Sequence, residues 1–198
     1  PLYSSAASDV YKRQGLGASE SMRSKLAEYN DPRLSRAFIT KQGTSGKEQA
    51  PGTADNAVYA PNGTPEQGTS KYGTSLFMYS ISAPTLLLSY HELKFLEAEA
   101  LCRLERDAKS ALKDAVVAGL LNAENSFTIS RKELGKTLIN AASSITEAEA
   151  ESYFDNTIEA KYTAEPLKTT MTQKYFALWG ASGEATDCLL YTSPSPRD

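Results

Sequence analysis

Apolar side chains recur at helical spacing through most of this chain, and one long stretch lacks them. Between Ser19 and Asn30, Met22, Leu26 and Tyr29 share a helical face. Asp31-Pro32 ends that run, because a proline drives the residue before it out of the α region. Gln42 to Tyr72 is rich in Gly, Ser, Thr, Pro and Asn and poor in aliphatics, so it is predicted to be loop. A loop of that length between ordered elements is usually functional or disordered. Ser75 to Ile81 alternates Leu76 and Met78 against Phe77, Tyr79 and Ile81, which suits a strand or an extended lead into the next helix.

From Ser89 onward the helix signals dominate. Ser89 with Glu92 forms a capping box, and the helix it opens is predicted to run to about Arg106. Leu93, Leu96, Ala100 and Leu104 make one apolar stripe and Phe95, Ala98 and Cys102 another, with Glu92, Glu99, Arg103 and Arg106 on the polar side. A helix with two apolar sides is expected to pack on both. Asp107 caps a following helix whose Ala108, Ala111, Ala115 and Ala118 lie along one face beside Leu112, Val116 and Leu120. Small residues allow close axial approach, so Ser89 to Leu120 is expected to be a tight antiparallel hairpin. Ser130 with Glu133 and Thr146 with Glu149 are further capping boxes, opening helices over about 131–142 and 147–162. A last helix starts at Glu165-Pro166 and carries Leu167, Met171, Tyr175, Leu178 and Trp179 on a wide stripe. The hairpin matches the size of a tetratricopeptide repeat, about 34 residues, but the next pair does not repeat its sequence. The fold class expected is mainly α, with tetratricopeptide-like helical pairs and a long irregular loop region.

The two ends stand apart from this pattern. Ser4 to Gln14 (SSAASDVYKRQ) and Cys188 to Asp198 (CLLYTSPSPRD) both read as in-frame translations of transposase-type sequencing adapter. Residues 1–14 and 188–198 are therefore expected to be artefactual and are set aside. The remainder, 15–187, is expected to be a partial domain, with a helix and loop-rich region over 15–88 and a helical region over 89–187. Without the end segments it carries 18 basic and 22 acidic side chains, a net charge of −4. That balance argues against nucleic acid as a partner, since backbone binding needs clustered Lys and Arg. Cys102 is then the one remaining cysteine, too few for an internal disulfide. No apolar run reaches the length of a membrane span.

Catalytic and metal-binding patterns are not found. Gly43 to Lys47 (GTSGK) is too short for a phosphate-binding loop, and Glu48 stands where Ser or Thr would bind magnesium. His91, the single histidine, sits in the first turn of a helix and reads as structural, and Cys102 reads as a small core residue. Glu97 and Glu99, and Glu147, Glu149 and Glu151, are spaced two apart on helices and so point in different directions, unlike the paired carboxylates of glycoside hydrolysis. No metal, cofactor or catalytic group is expected. The aromatics are more informative. Tyr59, Tyr72, Phe77 and Tyr79 lie in or beside the polar loop, interleaved with Asn56, Asn62, Gln67 and Lys71. Rings beside amides suit carbohydrate, whose C–H faces stack while its hydroxyls need fixed donors and acceptors. Tyr59, Asn62 and Tyr72 are the candidate ligand-binding residues, with anchoring of the loop as the alternative role for the rings.

Thr85 to Leu104 (TLLLSYHELKFLEAEALCRL), followed by Ala108 to Ala123 (AKSALKDAVVAGLLNA), resembles the SusD/RagB family of outer-membrane nutrient-binding lipoproteins of Bacteroidota. Pro84, Tyr90, Glu92, Phe95, Ala98, Glu99 and Ala100 carry the first part of the resemblance, and Ala111 and Gly119-Leu120 the second. Asp31-Pro32-Arg33 upstream and Gln173 to Leu178 (QKYFAL) downstream match two further family patterns in the right order, while Ala115 replaces the family's usual tyrosine. The resemblance implies a lipid-anchored, cell-surface protein that is not an enzyme. It would capture oligosaccharides or peptides for import through a SusC-like TonB-dependent transporter, its membrane contact made only by a lipid anchor outside this chain. The remaining alternatives are a tetratricopeptide-like scaffold for protein partners and a helical glycan-active enzyme.

Overall fold

The computed structural model describes residues 18–39, 59–61, 72–76, 88–133 and 143–179. The adapter-like ends, the GTSGK stretch, most of the Gln42 to Tyr72 loop, residues 77–81 and residues 134–142 lie outside the described residues. The fold is mainly helical, as the sequence pattern implies. Its described parts fall into two compact units, one within Pro1–Ala83 and Glu124–Ser144, the other within Pro84–Ala123 and Ile145–Asp198.

In the first unit, helix α1 (Glu20–Glu28) begins where the Ser19 hydroxyl accepts the Met22 backbone N–H at 3.4 Å, and it buries Met22 and Leu26. It ends in a left-handed turn at Asn30, with φ of 49°. The Asn30 N–H reaches the Ala27 carbonyl and the Asp31 N–H the Leu26 carbonyl, the two bonds of a Schellman stop. Asp31 and Arg33 are then buried together. One Asp31 oxygen accepts the Arg33 backbone N–H and Nε at 2.9 and 2.8 Å, and the other accepts Nη2 at 2.6 Å. A short helix, α2 (Leu34–Ala37), leads into strand β1 (Phe38–Ile39), which pairs antiparallel with β2 (Thr74–Ser75), Phe38 opposite Ser75. Of the extended run expected over Ser75 to Ile81, Ser75 ends β2, and the fully buried Leu76 that follows has left the strand.

Helix α3 (Tyr90–Arg103) opens the second unit, with the Ser89 hydroxyl accepting the Glu92 N–H at 3.3 Å. It stops three residues earlier than the pattern suggests. A second Schellman turn closes it, with Glu105 at φ 55°, its N–H on the Cys102 carbonyl and that of Arg106 on the Leu101 carbonyl. Helix α4 (Lys109–Glu133) follows. Lys94 meets Asp114 at 3.5 Å, and Phe95 lies near Gly119, so α3 and α4 run antiparallel as expected. Gly119 is there for closeness. A Cβ on it would stand 3.1 Å from that of Ala177.

One expected boundary does not exist. Ser130 is not a helix cap: it lies inside α4, buried, and its hydroxyl donates to the Leu76 carbonyl at 2.7 Å within the first unit. No proline or glycine interrupts Leu120 to Glu133, and Phe127 supplies a buried anchor that carries the helix onward. Thr146 does cap as expected, accepting the Glu149 N–H at 3.2 Å. Helix α5 (Glu147–Tyr153) continues through a π-helical turn at Phe154–Ile158 into α6 (Glu159–Ala164). The turn keeps Phe154 and Ile158 buried. Along this segment Lys113 pairs with Asp155, Lys109 with Glu159, and the Tyr162 hydroxyl accepts the Ala108 N–H at 2.8 Å.

Helix α7 (Pro166–Leu178) has proline in its first turn, as the sequence indicates. Its buried face differs from the expected stripe. Leu167 is exposed and Met171, Tyr175 and Trp179 are half-buried, whereas Thr169, Thr170, Gln173 and Lys174 are buried beside Phe176, Ala177 and Leu178. Two of these polar residues, Lys174 and Thr170, meet partners on α3, while Gln173 turns its Nε2 toward the Tyr153 hydroxyl at 3.5 Å. Lys174 donates to Glu99 at 2.8 Å, and Thr170 lies 3.5 Å from the Cys102 sulfur.

Two outcomes test this arrangement. Glycine adopts the left-handed region freely, so Glu105→Gly gains about 0.5–1 kcal/mol in chemical denaturation; a loss would mean the α3 stop is misread. Burial pushes the Glu99 carboxyl up, but Lys174 and Arg103 outweigh it and hold it below its ordinary 4.5. A depressed carboxylate stabilises fully above its unfolded value and loses that contribution as pH falls through the folded one. Glu99→Gln therefore flattens the melting-temperature profile below about pH 4.5, and an unchanged acid limb would show that the pair carries no linkage.

Candidate functional site

The loop region expected to hold ligand is closed at its base by three passes of backbone. The Ala18 N–H donates to the Gly73 carbonyl and the Ala60 N–H to the Ala18 carbonyl, both at 2.8 Å, while Glu20 N–H reaches the Ala60 carbonyl at 3.0 Å. Ser19 and Ala60 form a parallel bridge. The residues just before α1 therefore lie between the two ends of the 62–71 segment. That is a firm mount for whatever the chain carries between Pro61 and Tyr72, and recognition residues are commonly held on such a scaffold.

Tyr59 and Tyr72 are brought to this base, one beside each loop end, and Asn62 lies outside the described residues. Tyr59 is 8 % exposed and Tyr72 9 %. Tyr59 meets Phe38 edge to face, ring centroids 5.2 Å apart, with the Arg23 guanidinium 5.3 Å from its own centroid. Burial pushes the Tyr59 phenol up, and the charge of Arg23 and its hydrogen bond draw it part of the way back. Both rings are thus largely covered by protein, as the alternative role of loop anchoring would require. Arg23 and Phe38 are members of the cluster that sequence reading missed. Neither is near Tyr59 in the chain, and no spacing pattern signals the contact.

Elsewhere the residues weighed for chemistry have structural partners. His91 is buried with Nε2 3.2 Å from the Ser89 hydroxyl, tying it to the helix cap. Glu97 accepts from Lys94 at 3.0 Å, while Glu99 turns to Lys174 and Arg103. Among the described residues no group of three His, Cys, Asp or Glu is placed to hold a metal.

Comparison with known proteins bears on the whole chain. A family described as starch-binding and associating with the outer membrane matches residues 1–185, a span that includes residues 1–14 and stops short of Cys188. The chain is also similar to a solved SusD/RagB family protein from Bacteroides thetaiotaomicron VPI-5482, at 57 % identity and a TM-score of 0.82. The match covers 89 % of this chain but 38 % of that one, so the chain spans well under half of its length. No curated protein matches.

The Tyr59 cluster yields a direct test of the anchoring geometry. Tyr59→Ala should cost about 3 kcal/mol in urea denaturation, in line with loss of a buried aromatic, while Tyr59→Phe keeps most of that packing. Equal stability of the alanine variant and the parent would show that the loop base is not packed as described.

Proposed function

This chain belongs to the SusD/RagB family, and from that premise we propose that it is part of a cell-surface binding protein that captures glycans, or peptides, for import. The observation that carries the reading is the family match over most of the chain, with a starch-binding, outer-membrane-associated description. The fold suits such work. A packed helical unit provides stiffness, and a polar loop region mounted on the Ala18, Ala60 and Gly73 backbone provides groups able to meet hydroxyls.

In this reading the cargo passes to a SusC-like TonB-dependent transporter, and the protein itself performs no catalysis. Attachment to the membrane is through a lipid outside this chain; among the described residues no helix is long and apolar enough to cross a bilayer. Tyr59 and Tyr72 hold the loop ends, and Asn62 is the amide that reaches ligand. A second reading, a scaffold for protein partners, draws on the antiparallel packing of α3 and α4, although α4 continues to Glu133 and makes the pair longer than a tetratricopeptide repeat of about 34 residues.

The test uses the longer protein that contains this segment. Titration calorimetry with soluble starch, malto-oligosaccharides and a peptide panel should find saturable binding to at least one class, and membrane extraction should co-purify a β-barrel transporter. Asn62→Ala should weaken that binding about tenfold, or 1.4 kcal/mol, without moving the melting temperature. Binding to none of the ligands, with helical cytoplasmic proteins captured instead, would replace this reading with the scaffold.

A further inference from the structure

Arginines that leave water in this protein are given carboxylate or carbonyl oxygens, with one exception. Among the described residues, Arg33 meets Asp31, Arg131 meets Glu124, and Arg36 donates to the Pro32 and Ser143 carbonyls. Arg23 on α1 is also half-buried, yet among the described residues no carboxylate stands within ion-pair distance of it. Glu20, three positions earlier on the same helix, is exposed and does not pair with it.

What holds Arg23 is a ring. Its guanidinium carbon stands 5.3 Å from the Tyr59 centroid, and Tyr59 is itself packed edge to face on Phe38. The ring quadrupole attracts and orients a cation but does not neutralise it. The Tyr59 phenol, pushed up by burial, is uncharged and is no counter-ion. A guanidinium presents five N–H donors in a rigid fork, of which one phenol oxygen satisfies only part. The place of this cation matters as much as its charge. The Arg23 N–H bonds the Ser19 carbonyl at 3.1 Å, and Ser19 is bridged to Ala60, so Arg23 is one helical turn from the backbone that closes the loop base.

A fork already oriented by packing is suited to a planar anion, since a carboxylate takes two parallel N–H···O bonds from it and little side-chain freedom is lost. The chain is mildly acidic overall, which disfavours a ligand dense in negative charge. One cation fits carboxylates set apart among hydroxyls, as in an oligosaccharide containing uronic acid. We propose that Arg23, oriented by Tyr59, binds a ligand carboxylate at the loop base and selects uronate-bearing oligosaccharides over neutral ones. The inference rests on the reading of the chain as part of a glycan-capture protein. It narrows that reading away from starch, the polymer in the family's description, because starch carries no charge.

The test titrates the longer protein containing this segment with oligomers of galacturonate, glucuronate and mannuronate, and with the methyl ester of each, which keeps the sugar and removes the charge. At least one acid should bind about tenfold more tightly than its ester, and the difference should shrink as salt screens the pair. Arg23→Gln should erase the preference, and Arg23→Lys should keep only part of it, since an ammonium has the charge without the fork. The acid-to-ester ratio of the unsubstituted protein does not depend on any variant folding. Neutral malto-oligosaccharides bound as tightly as every acid, or a preference that survives Arg23→Gln, would overturn the proposal and leave glycan capture standing. An acidic peptide bound in preference to all the uronates would overturn the choice of ligand, and binding of no glycan at all would remove the capture reading and this inference together.

Discussion

Charge that leaves water must meet its partner, and each unit of this protein is arranged around that constraint. In the first unit Asp31 and Arg33 are buried two residues apart, joined by three hydrogen bonds that use both carboxylate oxygens. In the second, Lys174 and Glu99 are brought face to face by the packing of α7 on α3. Such pairs add little net stability over apolar packing, but separating them leaves an uncompensated charge, at about 3–5 kcal/mol. Their effect is to specify: the chain reversal after α1 and the register of α7 on α3 are the arrangements in which these charges meet.

Around these fixed points the helices are ended by hydrogen bonding and not by glycine. Both Schellman turns place an ordinary residue, Asn30 or Glu105, in the left-handed region, and the helix carbonyls three and four positions before it are satisfied by its own amide and the next one. The strain at Glu105 is accepted because it turns the chain directly into α4. Glycine is used where backbone proximity matters instead, at Gly119 against Ala177. Short turns and small contact residues let the helices of the second unit pack closely.

Much of this was legible from local pattern. The caps at Ser89 and Thr146, the proline start of α7 and the antiparallel hairpin all depend on residues close to one another in the chain. Ser130 was misread because its sequence neighbourhood resembles a cap, while its hydroxyl is taken by Leu76, distant in the chain. The stripe of α7 was misread for the same reason: hydrophobicity cannot show that Lys174 and Thr170 are buried against partners on α3. The candidate site was legible only as a set of residue types. That Tyr59 would be packed on Phe38 beneath Arg23 required contacts no periodicity encodes.

By itself the sequence determined the helical class, where most helices begin and, through ordered motifs, the family. These rest on short-range physics: backbone donors at helix starts, the steric rule before proline, and the recurrence of apolar positions. Tertiary structure alone decided which polar residues are buried, which apolar stripe of α3 is covered and which left open, and how the loop ends are pinned. Burial is a property of what lies across a contact, and the groups that meet there come from positions far apart along the chain.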